Sequence, residues 1–418
     1  MFQVLNASWA LLLGIFMLMI GNGLQGTLLG LRGEVEGFST TEMSIIISAY
    51  FLGFLFASRM APRMIQRVGH VRVFAAMGST ISAILILYPT LADPWAWSIG
   101  RVIIGFCFCG VYITAESWLN DSATNETRGK ALSLYMIMQM GGIVAGQYVV
   151  ALGDVSGFVL FVIPSVLVSL AFAPILLSVR PAPAFEVAKP LTVRELIKIS
   201  PLACMGMLAL GGVFAAQFGM TAVYGVKVGM TVPQISIMIS TIYIAALLLQ
   251  YPVGLISDRM DRRWLIAILS LIGGAGAFIG VLTDSYWFVV IAAVAAGGTS
   301  NPLYALLIAY CNDYLSREDM AGASGGLLFI NGVGAIVGPL IVGYVMDNIG
   351  PNGYWAYISF LLFGLGVYAI WRMTQRSTPN LESEDQSNMA PVMMQTATPV
   401  AVEVAQEVWG QAEEDENT

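Results

Sequence analysis

Two charges stand apart in the apolar run "RVIIGFCFCGVYITAES": Arg101 opens it and Glu116 lies near its end. On a helix, Gly105, Tyr112 and Glu116 fall within about 60° of Arg101 around the axis, so they share one stripe. The rise puts about 22 Å between the two charges, so neither can neutralise the other. A guanidinium in such a setting can hold an anion or take part in a proton relay. A buried carboxyl can take up a proton and release it, because burial favours its neutral form. The plainer readings are an interhelical pair or carbonyl clamp for Arg101 and a helix-end pair for Glu116.

A second polar set sits in "GNGLQG", Gly21 to Gly26, where Asn22 and Gln25 are three apart on one helix face. G-x-G-x-x-G marks a dinucleotide site only between a strand and a helix. Here "SWALLLGIFMLMI" precedes it and "TLLGL" follows, making one apolar segment of bilayer-spanning length, so the nucleotide reading fails. Cys107, Cys109, Cys204 and Cys311 lie in apolar runs without a C-x-x-C pair, and the chain has one His. No metal and no other cofactor is therefore expected. Without a G-x-x-x-x-G-K-[ST] motif or a nucleophile–base cluster, the chain is not expected to be an enzyme.

The elements that position these residues must be membrane helices. Of 418 residues, 57% are hydrophobic and 11% charged, unlike any ordinary soluble domain. Apolar runs of spanning length cover about residues 7–29, 43–61, 73–91, 95–119, 129–151, 158–178, 199–224, 234–256, 264–283, 287–311, 321–345 and 354–372. The first run has neither a charged n-region nor an A-x-A site, so it reads as a retained helix. Sixteen Lys and Arg fall in one set of loops, whereas the opposite loops hold Arg32 and Lys227 alone. The positive-inside rule then puts both termini in the cytoplasm.

The chain also repeats itself. "GFSTTEMSIIIS" from Gly37 returns as "GMTVPQISIMIS" from Gly229, and the same shift of 192 maps Gly105 onto Gly297 and Gly142/Gly146 onto Gly334/Gly338. Ser39 with Glu42, and Thr231 with Gln234, have capping-box spacing at the same point of each copy. The expected fold is all-α and integral to the membrane, with about twelve transmembrane helices in two pseudo-symmetric six-helix bundles, residues 1–178 and 199–376. Residues 179–198 read as a basic, Pro-containing cytoplasmic linker. Residues 377–418, with nine acids and no base, read as a disordered acidic cytoplasmic tail.

The loop "GLISDRMDRR", Gly254 to Arg263, resembles the G-x-x-x-D-R-x-G-R-R signature of the major facilitator superfamily, with Asp261 at the second Gly. The first-half loop "PRMIQRVGHVR" keeps Arg67 and Gly69 and has Pro62, Gln66 and His70 at other signature positions. "RVIIGFCFCG" is similar to the superfamily's R-x-x-x-G pattern on the fourth helix, and Asp121 with Arg128 to its intracellular acid-to-Arg pair. The resemblance covers about residues 1–376. "GNGLQGTLLGLR…EGFS" and "TAESWLND" resemble a poorly characterised bacterial subgroup, and Gln147 stands where many drug antiporters carry Pro.

The resemblance implies a central cavity lined by helices one, four, five, seven, ten and eleven. The 192-residue shift takes Gln25 to Gln217, Tyr112 to Tyr304 and Gln139 to Asn331, all on those helices. The expected substrate contacts are Asn22, Gln25, Arg101, Tyr112, Gln139, Gln217, Tyr304 and Asn331, with Glu116 as the proton-coupling carboxyl. Gating falls to Arg67, Asp121, Arg128, Asp258, Arg259, Arg262 and Arg263. Interhelical glue and topology anchoring are the bland roles for these two sets. The expected activity is secondary active transport of a small polar or amphiphilic solute across the inner membrane by proton-linked alternating access. Facilitated diffusion without an ion, and a receptor or scaffold acting through the tail, are the alternatives. Expected partners are the small-molecule substrate, the lipid bilayer and protons, with no nucleic acid, and the chain is expected to be a monomer.

Overall fold

A computed structural model describes the backbone of residues 2–122, 125–176, 191–283, 285–315, 317–375 and 398. Side chains are described within those ranges except at 2–8, 120–129, 174–176, 317–318 and 321. With no water in a bilayer core, each spanning segment satisfies its own backbone as a helix. In chain order these are α1 (Phe2–Val35), α2 (Thr40–Val68), α3 (His70–Leu87), α4 (Pro94–Ser122), α5 (Asn125–Leu152) and α6 (Val159–Leu176). A short α7 (Val193–Ile199) follows, then α8 (Pro201–Ala215), a π-helical turn Ala216–Met220 and α9 (Thr221–Lys227), which continue one another. The rest are α10 (Val232–Ser257), α11 (Arg262–Leu282), α12 (Tyr286–Asn312), α13 (Arg317–Ile349) and α14 (Gly353–Gln375). Among the described residues eleven helices are long and apolar enough to cross a membrane, and Val159–Ala173 within α6 is a shorter apolar helix. Together they give the twelve-helix layout.

The first six helices pack on one another, and α8 to α14 do likewise. The repeat is visible in how they do so. A methyl at Gly146 would come within 2.6 Å of the Ile20 carbonyl oxygen, and one at Gly338 within 3.0 Å of the Gly212 carbonyl oxygen, the same contact moved by 192 positions. Gly105 likewise abuts the Tyr50 carbonyl, and Gly297 the Ile242 carbonyl. Each copy also turns from its first helix into its second in the same way. Gly37 and Gly229 have φ of 77° and 75°, and the next amide, Phe38 or Met230, reaches back to the carbonyl of Gly33 or Gly225. That is a Schellman ending, which needs a residue tolerant of the left-handed region. Both capping boxes form: Ser39 N donates to Glu42 Oε2 at 2.8 Å and Thr231 N to Gln234 Oε1 at 2.9 Å.

The segment expected to be a plain linker contains a capped helix in its described part. Thr192 and Glu195 form a third capping box, Thr192 N to Glu195 Oε2 at 2.9 Å. Leu196 of α7 is fully buried, and Leu191 N donates to the Gly322 carbonyl of α13 at 3.0 Å. Of the expected acidic tail only Thr398 lies within the described residues.

Three sets of helices join the bundles: α2 on α13, α5 on α10, and α1 on α9. Away from the basic loops the joint is tight. A methyl at Gly30 would meet the Ala222 methyl at 2.7 Å and one at Gly343 the Ser44 Cβ at 2.7 Å. Thr41 Oγ1 donates to Asp347 Oδ2 at 2.8 Å, and Lys227 pairs with Glu34 at 3.6 Å on the surface. By contrast, α4 and α12 pack mainly within their own bundles.

Candidate functional site

A buried polar chain runs through the first bundle. Arg101 Nη1 donates to Gln25 Oε1 at 3.0 Å, Gln25 Nε2 to Asn22 Oδ1 at 2.9 Å, and Asn22 Nδ2 to the Tyr112 hydroxyl at 2.8 Å. The chain ends where Tyr112 donates to Met19 Sδ at 3.2 Å. The Arg101 guanidinium also lies over the Tyr50 ring, 4.6 Å from its centroid. All four sequence-nominated members are buried, and Arg101 is 1% exposed. Among the described residues no carboxylate pairs with Arg101, and its Nε has no acceptor. Its charge is therefore held by one amide and one aromatic face, the latter worth about 2 kcal/mol when desolvated.

Glu116 is also buried, a helix's length from Arg101 on the same stripe. Tyr135 of α5 donates its hydroxyl to Glu116 Oε1 at 3.1 Å, and Thr398 donates to Oε2. Thr398 is fully buried. Thr398 of the tail thus reaches the interior, a contact no feature of the tail's composition foretold.

The second bundle repeats the positions but not the pairing. Gln217 sits on the π-helical turn, and Ser300 donates to its Oε1 at 3.2 Å while Nε2 has no acceptor among the described residues. Among the described residues the Tyr304 hydroxyl has no partner. Tyr112 is satisfied by Asn22, but the position equivalent to Asn22 is Phe214, so Tyr304 has no amide to meet. Asn331 donates to the Met207 carbonyl at 3.0 Å, and Gln139 is buried with no acceptor for Nε2 among the described residues. Aromatic contact links the two sets across the bundles, with the Tyr50 and Phe218 rings 5.5 Å apart.

The loop residues fall into three groups. Arg67 and Arg259 are exposed, at equivalent places. Asp121 and Arg128 lie outside the residues whose side chains are described. Arg262 and Arg263 are used within their own bundle: Arg262 pairs with Asp313 at the end of α12 and donates to Ser257 Oγ at 3.2 Å. Arg263 pairs with Asp261 at 2.7 Å. Asp261, the departure from the signature glycine, accepts from Arg263 N at 2.9 Å and so caps α11. In the first half His70 takes the place of Arg262 and meets Ser117 of α4 at 3.0 Å. Asp258 is exposed and faces α5 across a groove whose lining includes Ser133.

Tyr50, Tyr135, Ser300 and the pair Gln250–Asn301, joined at 3.0 Å, belong to these networks and were not singled out in the sequence. Gln250 and Asn301 carried a signal, as amides in long apolar runs; the others depend on how helices cross.

The family profile described as Major Facilitator Superfamily matches residues 11–231 and 202–412. An uncharacterised MFS-type transporter, YcaD, of Salmonella arizonae is 24% identical over 357 residues, 84% of this chain and 92% of its own. Among solved structures, the nucleoside transporter NupG (D323A mutant) matches with a TM-score of 0.73 at 15% identity, covering 89% of this chain and all of its own. A bacterial homologue of the human lysosomal transporter Spinster, inward-facing and unoccupied, matches with a TM-score of 0.68 at 13% identity over 98% of both chains.

Proposed function

Because the chain belongs to the major facilitator superfamily, we propose that it is a secondary transporter that carries a small polar or amphiphilic solute by alternating access, coupled to protons through Glu116. The observation that carries this reading is the buried chain Arg101–Gln25–Asn22–Tyr112 facing a second bundle with unsatisfied amide and hydroxyl donors at Gln217 and Tyr304. Buried donors without acceptors are costly and favour a bound group that supplies them. The bundles meet tightly where Gly30 abuts Ala222 and Gly343 abuts Ser44, a closure of the kind that alternating access uses. The membrane is taken as the inner membrane, and the loop charges support cytoplasmic termini.

Glu116 is the proton carrier in this scheme, taking up a proton on one side of the membrane and releasing it on the other. Glu116→Gln keeps the size and the Tyr135 contact while removing the titration. The variant is expected to lose pH-gradient-driven accumulation in proteoliposomes while still exchanging labelled for unlabelled substrate. Full accumulation by the Gln variant would remove Glu116 from coupling and favour facilitated diffusion.

A further inference from the structure

Thr398 is the one described residue of the tail, and it is fully buried with its hydroxyl donating to Glu116 Oε2. Tyr135 of α5 takes the other carboxyl oxygen, and the Glu116 charge reaches Tyr304 of α12 in the second bundle. The seat of Thr398 therefore borders both bundles. Glu116 lies six residues before Ser122, the end of α4, which places it about 9 Å inside the end that carries the basic loops. From Gln375, the end of α14 on the same side, 23 positions lead to Thr398, enough extended chain for about 75 Å. Reach is therefore ample.

The composition of the tail fits this seat. Its nine acids leave one long uncharged stretch, residues 386–402, "QSNMAPVMMQTATPVAV", and Thr398 lies in it. A largely apolar segment without charges can enter a protein interior, whereas the charged segments beside it would carry a heavy desolvation cost. Three acids precede the stretch from Glu382 to Asp385, and six follow from Glu403 to Glu416. Their sign is opposite to that of Arg63, Arg67, Arg72 and Arg259, which are exposed on the loops of that side. The two seams between the bundles also differ there. Across α2–α13 the Arg59 guanidinium stacks on the Phe329 ring at 4.5 Å. Across α5–α10 the 192-residue shift puts Tyr251 and Ile137 at those positions, and a groove of about 380 Å³ remains, lined on α5 by Ser133, Met136 and Ile137. These residues flank Tyr135, which shares Glu116 with Thr398.

We propose that residues 386–402 are a built-in plug that docks between the two bundles from the side of the basic loops, with Thr398 hydrogen-bonded to Glu116. The tether makes docking intramolecular, at an effective concentration on the order of mM, so a contact too weak to hold a free peptide still keeps the seat filled. A seated tail opposes any rearrangement that parts Glu116 from Thr398, and so acts as a brake on the carrier. That consequence rests on the proposed transport function. The docking itself does not, and it is read without any transport measurement.

The test uses the full chain in nanodiscs, with one cysteine added to the tail and labelled by a polar maleimide. Labelling rates are read site by site by peptide mass spectrometry. Thr398→Cys is expected to label about tenfold more slowly than Gln411→Cys, which lies in the acidic part of the same tail. Glu116→Leu, combined with Thr398→Cys, should speed that labelling about fivefold, as for the loss of about one hydrogen bond. The native Cys107, Cys109, Cys204 and Cys311, all buried, should stay slow in every variant, showing that the bundles remain folded. Glu116→Cys with Thr398→Cys should cross-link within one chain through a short bifunctional methanethiosulfonate, and Glu116→Cys with Gln411→Cys should not. Equal rates for Thr398→Cys and Gln411→Cys, no gain from Glu116→Leu, or cross-links formed only between two copies would each overturn the proposal. Full accumulation by Glu116→Gln would count against the coupling reading alone, since labelling and cross-linking report on the docking.

Discussion

Gln25 accepts from Arg101 with one end of its amide and donates to Asn22 with the other, so both groups depend on it. Gln217, its counterpart, accepts from Ser300 and leaves its amino group without a partner. Equal positions in the repeat therefore carry unequal stability. Gln25→Leu should lower the thermal unfolding midpoint clearly, because it strands a buried guanidinium and an amide oxygen, a loss of about 1–3 kcal/mol or more. Gln217→Leu should leave the midpoint nearly unchanged and weaken substrate binding about fivefold, the worth of a hydrogen bond of about 1 kcal/mol. Equal midpoints for the two variants would show that the Arg101 chain is not what holds that part of the bundle. Arg101 and Glu116 were legible from one stretch of sequence because charges in an apolar run have no bland neighbours. Their partners were not: Tyr50 and Tyr135 reach them only through the crossing of α2 and α5 with α4, which periodicity does not encode.

At the scale of elements, the repeat was legible because its register has no gap from Gly37 to Gly338, and the structure turns that register into helix contacts. Gly146→Ala and Gly338→Ala should each destabilise by about 1–3 kcal/mol, since the added methyl meets backbone that cannot step aside. Gly364→Ala in α14 meets nothing within 4 Å and should stabilise by up to about 1 kcal/mol through helix propensity alone. Thermal unfolding of the three variants checks both signs, and a loss in Gly364→Ala would show that contacts are not deciding them. The capped helix α7 carried its own signal, Thr192 and Glu195 at capping-box spacing, but the Pro-bearing stretch before it reads as linker. Asp261, at the second Gly of the signature, caps α11 by accepting from Arg263 N.

For the molecule as a whole, the fold and the family were within reach of the sequence, whereas the seams between bundles were not. Their difference rests on which side chain stacks on which across α2–α13 and α5–α10. The tail belongs at this scale too. Deleting residues 377–418 removes the Thr398 contact to Glu116, and uptake should change by no more than about fivefold, as for the loss of about one hydrogen bond. Complete loss of uptake with normal membrane insertion would instead make the tail a working part of the protein. The π-helical turn at Ala216–Met220 has a wider effect. It holds one residue more than the α-helical turn it replaces, so α9 is presented about 100° away from where an unbroken helix would aim it. Ala222 meets Gly30 only at that setting. The seal between the bundles thus depends on counting as well as on chemistry: a lost residue in that turn would misdirect the whole end of the helix, although every side chain beyond it was unchanged.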